Sequence, residues 1–436
     1  MNQQQPQSTK KVLNRQVVLN LFIGFFFVFS TGLFLVRAFT AFPLSKTSRL
    51  FDFGWYEYAF KVVWNHQPPS FLYSRQHELH WIHNYLQGTP WHLNGGSQYL
   101  YPPQFAVLFS WIAALPVHIA NLVWDSILTL SFLGAVVLLL RMIQQQHGNR
   151  RSSGLLIVLL LSISLFWRPF RSDIYWGNSD SLVFFLVILT FYLQNYSKRS
   201  ALAGIPLGLA VLFKVTPVIL MFVFVIKHPR TSVSALLTIL FGTSLTAIVL
   251  GWKPIIYYTF HFGAMAHRSA VLNGNGGTAP WNSSIKGVLQ LLRHGGLPWI
   301  TPAVINATFA VFVIAVLSLM SIKLLSRHGY TDQVERQIGM LVLSLVLFSP
   351  VIENHYIILA LAPYLFTVSR TVKTWDTLPS IRKSFAVAGM VAALVLINPV
   401  GAAMTRWYTN VLPIHYFLGI TLIALFQFFP INRAKI

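Results

Sequence analysis

Hydrophobic and polar positions alternate in long blocks along this chain. The stretch VVLNLFIGFFFVFSTGLFLVRAF occupies residues 17–39, and further apolar segments fall near 119–141, 153–168, 180–195, 233–252, 300–324, 337–350, 355–369, 384–401 and 412–430. Most approach the ~20 residues that carry a helix across a bilayer. Because lipid offers no partners to backbone N–H and C=O groups, helices are the expected form. Residues 200–227 read as a tight pair of short helices turning at FKVTP, with Pro217 after the turn. The pattern predicts an all-α, polytopic membrane protein forming a single domain over residues 1–436, with no soluble domain at either end and no sequence repeat.

Lys and Arg fall in small groups between the apolar segments, and these groups set the orientation. Lys10, Lys11 and Arg15 flank the first span, about 17–40; later groups are Arg141, Arg150 and Arg151, Lys198 and Arg199, Lys227 and Arg230. The series continues through Lys323, Arg327, Arg336, Arg370, Lys373, Arg382, Lys383, Arg433 and Lys435. All lie on the cytoplasmic side if YPPQFAVLFSWIAALP (101–116) is interfacial or re-entrant, which gives about 12 spans with both termini inside. Two long segments, about 43–118 and 253–299, are then outside, the first carrying interfacial helices. Both are rich in Trp, Tyr, His, Asn and Gly.

Composition agrees with this picture. Hydrophobic residues make up 55% of the 436 and charged ones only 10%, against roughly 25% in a soluble domain. The net charge of +22 forms no single basic face, which argues against nucleic acid as a partner and leaves membrane lipid. Without cysteine there is no disulfide, thiolate nucleophile or cysteine-ligated metal. The basic N-terminus resembles a signal peptide, but its apolar run is too long for a cleaved one and reads as a retained span.

With only 10 Asp and Glu, each carboxylate can be assigned a side. Asp332, Glu335 and Asp376 belong to basic cytoplasmic loops. Glu57 precedes Lys61 by four residues and Glu78 follows Arg75 by three, both spacings of helical ion pairs. Asp125 sits inside an apolar segment, where function and a local partner are equally good explanations. Asp173 and Asp180, in WRPFRSDIYWGNSDSL, lie near Arg168 and Arg171; Asp180 can cap the following helix or contact a sugar or phosphate. Glu353 adjoins His355 in SPVIENHY. Asp52, in DFGWYEYAF, would share a helical face with Tyr56, with Trp55 adjacent. Aromatic shielding can tune such a carboxylate toward general-base work, and an N-cap role fits equally well.

Taken together, the motifs resemble the polytopic polyprenyl-phosphate-sugar-dependent glycosyltransferases of GT-C fold, specifically glycosyltransferase family 87, which contains mycobacterial mannosyltransferases. The matches run in order: DFGWYEYAF, YLYPPQFAVLFSWIAALP, GNSDSLVFFLVILTFYL, AGIPLGLAVLFKVTPVILMFVFVIKHPR, WNSSIKGVLQLL and SPVIENHYIILALAPYL. Asn178 stands where that family usually has Gln. The resemblance implies that Asp52 is the catalytic base of an inverting transfer, with Lys214 and His355 facing the same outer cavity. Asn178, Asp180, Glu353, Tyr56, Trp55 and Asn282 of the Asn-x-Ser segment join them as expected substrate contacts.

The implied function is transfer of a monosaccharide, mannose or another sugar, from a polyprenyl-phosphate donor to a glycolipid or glycan hydroxyl. This would take place at the outer face of the cytoplasmic membrane. One carboxylate suffices to take the hydroxyl proton. Lys214, His355, Arg168 and Arg171 are the outer-side groups suited to the leaving phosphate. Trp55, Trp64, Trp81 and Trp91 offer flat surfaces for sugar rings. Neither a cofactor nor a metal is expected, although His77, His80 and His83 have helical spacing that suits a divalent ion. A flippase for lipid-linked saccharides would use the same groove and cations without catalysis.

Overall fold

A computed structural model of the chain describes residues 7–41, 52–86, 98–147, 152–197, 200–270, 282–325 and 334–428. Every regular element among them is helical. The chain begins with α1 (Gln7–Ala41), then places α2 (Asp52–Trp64), α3 (Arg75–Leu86) and α4 (Pro103–Phe109) before the long α5 (Val117–His147). Next come α6 (Ser152–Phe166), α7 (Arg168–Trp176), α8 (Asp180–Tyr196), α9 (Gly204–Phe213), α10 (Val218–Lys227) and α11 (Pro229–Leu250). The remainder is α12 (Lys253–Ala270), α13 (Ile285–His294), α14 (Pro302–Leu325), α15 (Val334–Leu347), α16 (Leu361–Lys373), α17 (Ser380–Ile397), α18 (Gly401–Val411) and α19 (His415–Phe428).

Among the described residues, six stretches are long and apolar enough to cross a membrane: Val17–Arg37, Val117–Gln146, Gly154–Trp176, Pro229–Leu250, Pro302–Ile322 and Ser380–Ile397. Apolar helices of 10–17 residues add Pro103–Ala114, Asp180–Tyr196, Ser200–Phe213, Val218–Lys227 and His415–Phe428. On α1, Phe22, Phe25 and Val28 are each more than 60% exposed. Large side chains turned outward on a spanning helix face lipid, where exposure carries no hydrophobic penalty. The chain is a multi-pass membrane protein.

Helix α8 lies in the middle, packed against α5, α9, α15 and the turn at 356–360. Val183, Phe184, Val187 and Ile188 on it are buried to 1% or less. The expected short pair at 200–227 forms as α9 and α10, and α9 is clamped to α11 at glycines. A Cβ on Gly204 would sit 2.2 Å from the Thr231 carbonyl oxygen, and one on Gly208 would sit 2.7 Å from that of Ala235. This Gly-x-x-x-Gly contact lets two backbones approach without side chains between them. It fixes the end of α9, where the chain becomes extended at Lys214.

The break between α6 and α7 follows from Pro169, which cannot continue an i to i−4 ladder. Helix α7 ends at Gly177 with φ of 66°, a left-handed conformation that glycine adopts without Cβ strain. A side chain there would also strike the Phe53 Cβ at 2.7 Å, and the Gly177 carbonyl accepts a 2.8 Å bond from Trp124 Nε1. The start of α2 and the end of α7 are thus held together, which is what positions the site.

Candidate active site

Asp52 is the first residue of α2 and is half-buried. Its Oδ2 accepts a 2.9 Å bond from Asn178 Nδ2, a residue placed by the turn at Gly177. Asn178 is itself oriented, its Oδ1 accepting from the Tyr101 hydroxyl at 2.9 Å and the Ser179 N–H at 2.8 Å. Tyr101 belongs to the Tyr-Pro-Pro segment before α4. Burial pushes the Asp52 carboxyl up to about 6, with the Asn178 bond and the Lys214 charge opposing the shift and Asp180 adding to it.

Asp180 opens α8 but does not cap it. The first amides of α8 are taken instead by Asp173 of α7, whose carboxylate accepts from Asp180 N at 3.2 Å and Ser181 N at 2.8 Å. This corrects the capping expectation and frees the Asp180 carboxylate to pair with Lys214, Nζ to Oδ1 2.5 Å. The Lys214 ammonium also lies 4.5 Å from the centroid of the Tyr356 ring. Burial alone would lower the Lys214 pKa; Asp180, with Tyr101 and Tyr356, more than reverses that, so the side chain stays charged.

His355 completes the cluster, with Nε2 3.7 Å from Asp180 Oδ2 and 3.5 Å from Glu353 Oε2. Burial pulls His355 down to about 4, so its ring is neutral near pH 7. The Glu353 side chain keeps 40% of its surface, which opens among the surrounding helices. Burial there, with the Asp52 charge, pushes it up to about 8. The site therefore combines the Asp52 carboxylate, the Lys214–Asp180 pair, a protonated Glu353 carboxyl and a neutral His355 imidazole near neutral pH.

Asn282 is placed next to this cluster but works on the backbone. Its Oδ1 accepts from the N–H groups of Ser284 and Ile352, both at 3.1 Å, and the Ser283 N–H donates to Ile352 O at 2.8 Å. It splints the segment that carries Glu353 and His355. Tyr56 is buried beneath Asp52, edge-on to Tyr101 at 4.7 Å and to Trp124 at 5.7 Å. Trp55 is 2% exposed with the Arg75 guanidinium over its ring, so it presents no open face to a sugar.

Arg168 turns elsewhere. Its Nη1 donates to Pro399 O at 3.0 Å and Thr405 Oγ1 at 2.9 Å, and its backbone N–H donates to Asn398 Oδ1 at 2.6 Å. Arg171, one helical turn on, is in electrostatic range of Arg168 and not of Asp52 or Asp180. The Glu57–Lys61 and Glu78–Arg75 pairs form at 3.7 and 4.0 Å as their spacing predicts. His77, His80 and His83 do not assemble a metal-holding group, and none exists among the described residues. Trp91 lies outside the described residues.

The profile of glycosyltransferase family 87 matches residues 99–350, more than half of the chain. The chain belongs to glycosyltransferase family 87. No curated protein and no solved structure matches it. The matched region includes Tyr101, Asn178, Asp180, Lys214 and Asn282, so the residues that orient Asp52 fall inside it while Asp52, Glu353 and His355 flank it. A family 87 glycosyltransferase needs a sugar donor and an acceptor, and the all-helical, multi-pass architecture is consistent with a GT-C fold.

Two contributors escape sequence reasoning. Tyr101 stands in a quoted motif, yet its role as the support of Asn178 depends on a contact 77 residues away in sequence. Asp173 caps a helix other than its own; the only available signal was an acid shortly before Gly177, a pattern that many helix ends share.

Proposed function

We propose that this protein transfers a monosaccharide from a polyprenyl-phosphate sugar to a hydroxyl of a lipid or glycan, with inversion, at the outer face of the cytoplasmic membrane. The observation that carries the reading is the held carboxylate. Asp52 is aimed by Asn178 in a half-open position, ionises near pH 6, and shares its cluster with the Lys214 ammonium. Such a carboxylate accepts the proton of the incoming hydroxyl as its oxygen attacks the anomeric carbon. The glycosidic bond to the lipid phosphate breaks in the same displacement, and charge develops on the phosphate oxygen. Lys214 meets that charge; His355 as a neutral donor and protonated Glu353 supply hydrogen bonds.

In this reading the long outer segments shelter the acceptor, about 12 spans cross the bilayer, and both termini are cytoplasmic. Arg168 and Arg171 sit at the other end of α7, and their contribution to the phosphate is indirect. The test is single-turnover transfer by purified protein in lipid, with a panel of polyprenyl-phosphate monosaccharides and native lipid extract. Asp52→Asn should bind donor and lose transfer by roughly 10²–10⁴-fold. Equal transfer by both proteins would remove Asp52 from the chemistry. Donor binding without transfer in either would favour a flippase.

A further inference from the structure

A concavity opens on the other flank of α2 from Asp52. It has a volume of about 420 Å³ and is formed by the last turn of α2, the 65–71 stretch and α3. That size is within the usual range for small-ligand sites. Its aromatic walls are Tyr58, Phe71 and Trp81, and its amides are Asn65, Gln67 and Asn84. Tyr58, Lys61, Val62 and Asn65 start roughly 9 Å from Asp52 along the helix and end near 20 Å. They are also turned away from it, by about a fifth of a revolution at Val62 and a third to half at the other three. The concavity is therefore separate from the Asp52 cluster.

Its walls are fixed in advance. The Tyr58 hydroxyl donates to Phe71 O at 2.7 Å, and the Tyr58 ring lies tilted to Trp81 with centroids 5.5 Å apart. The His77 ring stacks on Phe71 at 3.7 Å and bonds Ser74 Oγ at 2.8 Å. Asn84 Nδ2 and His80 Nε2 are hydrogen-bonded at 2.8 Å. Lys61 is the cation of the wall, and its ammonium is turned to Ala113 O at 2.6 Å and Glu57 at 3.7 Å. A phosphate would find its charge already engaged, and an acyl chain would use none of the amides. Flat rings bordered by amide and imidazole groups match a neutral ring with an apolar C–H face and a rim of hydroxyls.

We propose that this pocket binds a saccharide unit, a sugar of the glycan or glycolipid acceptor remote from the hydroxyl that receives the new bond. The assignment of the sugar to the acceptor rests on the transfer reading above; the binding itself does not. Trp81 and Tyr58 take the ring face, and Asn65, Gln67 and Asn84 take the hydroxyls. The pocket holds the acceptor near the enzyme without touching the reacting atoms.

The test is saturation-transfer NMR on full-length protein in phosphatidylcholine nanodiscs, with methyl glycosides of mannose, glucose, galactose and arabinose, their disaccharides, and sorbitol as a non-ring control. At least one glycoside should receive saturation on its ring C–H protons well above sorbitol, equally in wild type and Asp52→Asn. Trp81→Ala should abolish the signal. Asn65→Ala and Asn84→Ala, exposed replacements that leave the helices intact, should each weaken binding roughly three- to ten-fold. No glycoside above sorbitol, or a signal that survives all three replacements, would overturn the proposal. Binding through these residues by a protein that transfers no sugar would leave the pocket standing and overturn the transfer reading instead.

Discussion

The two ends of α7 carry different residues, arginine at one and aspartate at the other, and do different work. At its C-terminal end, Asp173 caps α8 and Gly177 turns Asn178 onto Asp52, so the end is built into the Asp52 cluster. At its N-terminal end, Arg168 binds the carbonyl of Pro399 and the hydroxyl of Thr405, tying the α6–α7 break to the loop after α17 and to α18. The nine residues of α7, Arg168–Trp176, are enough to separate a clamp to the 398–405 region from a support of the Asp52 cluster. Charge near a functional residue in sequence is therefore a poor guide to function; which helix end the residue occupies decides.

Replacements at the catalytic end should have the largest effects. Lys214→Met leaves Asp180 buried without its cation, at a cost on the order of 3 kcal/mol. It also removes the cation proposed for the leaving phosphate, and transfer should fall about 100-fold or more. Lys214→Met combined with Asp180→Leu should recover thermal stability and not transfer. Recovery of both would make the pair structural only.

Gly177→Ala is next. A Cβ at a φ of 66° costs about 1–2 kcal/mol, and its contact with Phe53 must be relieved by moving α2. Thermal stability and transfer should fall together, transfer by roughly ten-fold as Asn178 loses its aim. Unchanged transfer with lowered stability would show that Asn178 is not needed to orient Asp52.

At the other end, Arg168→Gln should lower stability by about 1 kcal/mol, a partly exposed side chain losing two hydrogen bonds. Transfer under donor saturation should stay within about three-fold. A large drop in transfer at unchanged stability would place Arg168 in direct contact with substrate and erase the contrast between the two ends.

Much of the architecture could be read from the sequence because it is written in local runs. The six long apolar helices, the α9–α10 pair around Lys214 and the Glu57–Lys61 spacing each depend on residues a few positions apart. That these residues would meet was legible only through the order of six motifs, since the bonds are long-range: Asn178 and Asp52 are 126 residues apart, and Lys214 and Asp180 are 34 apart. Residue type alone left Asp180 open to capping α8 or to contact with a sugar or phosphate. The decision came from Asp173, which occupies the amides of α8 first. Trp55 looked suited to a sugar from composition, and packing against Arg75 removes it from the surface.

The most direct measurement is the pH dependence of single-turnover transfer at saturating donor in wild type, Asp52→Asn and Glu353→Gln. Asp52 must be ionised to act, so the wild-type rate should fall about ten-fold per pH unit below a midpoint near 6. It should fall again above about 8 as Glu353 loses the proton it donates. Glu353→Gln should lose the alkaline limb and keep the acidic one, and the residual rate of Asp52→Asn should show no limb near 6. An acidic limb that persists in Asp52→Asn, or a wild-type rate that is flat between pH 5 and 7, would contradict Asp52 as the base.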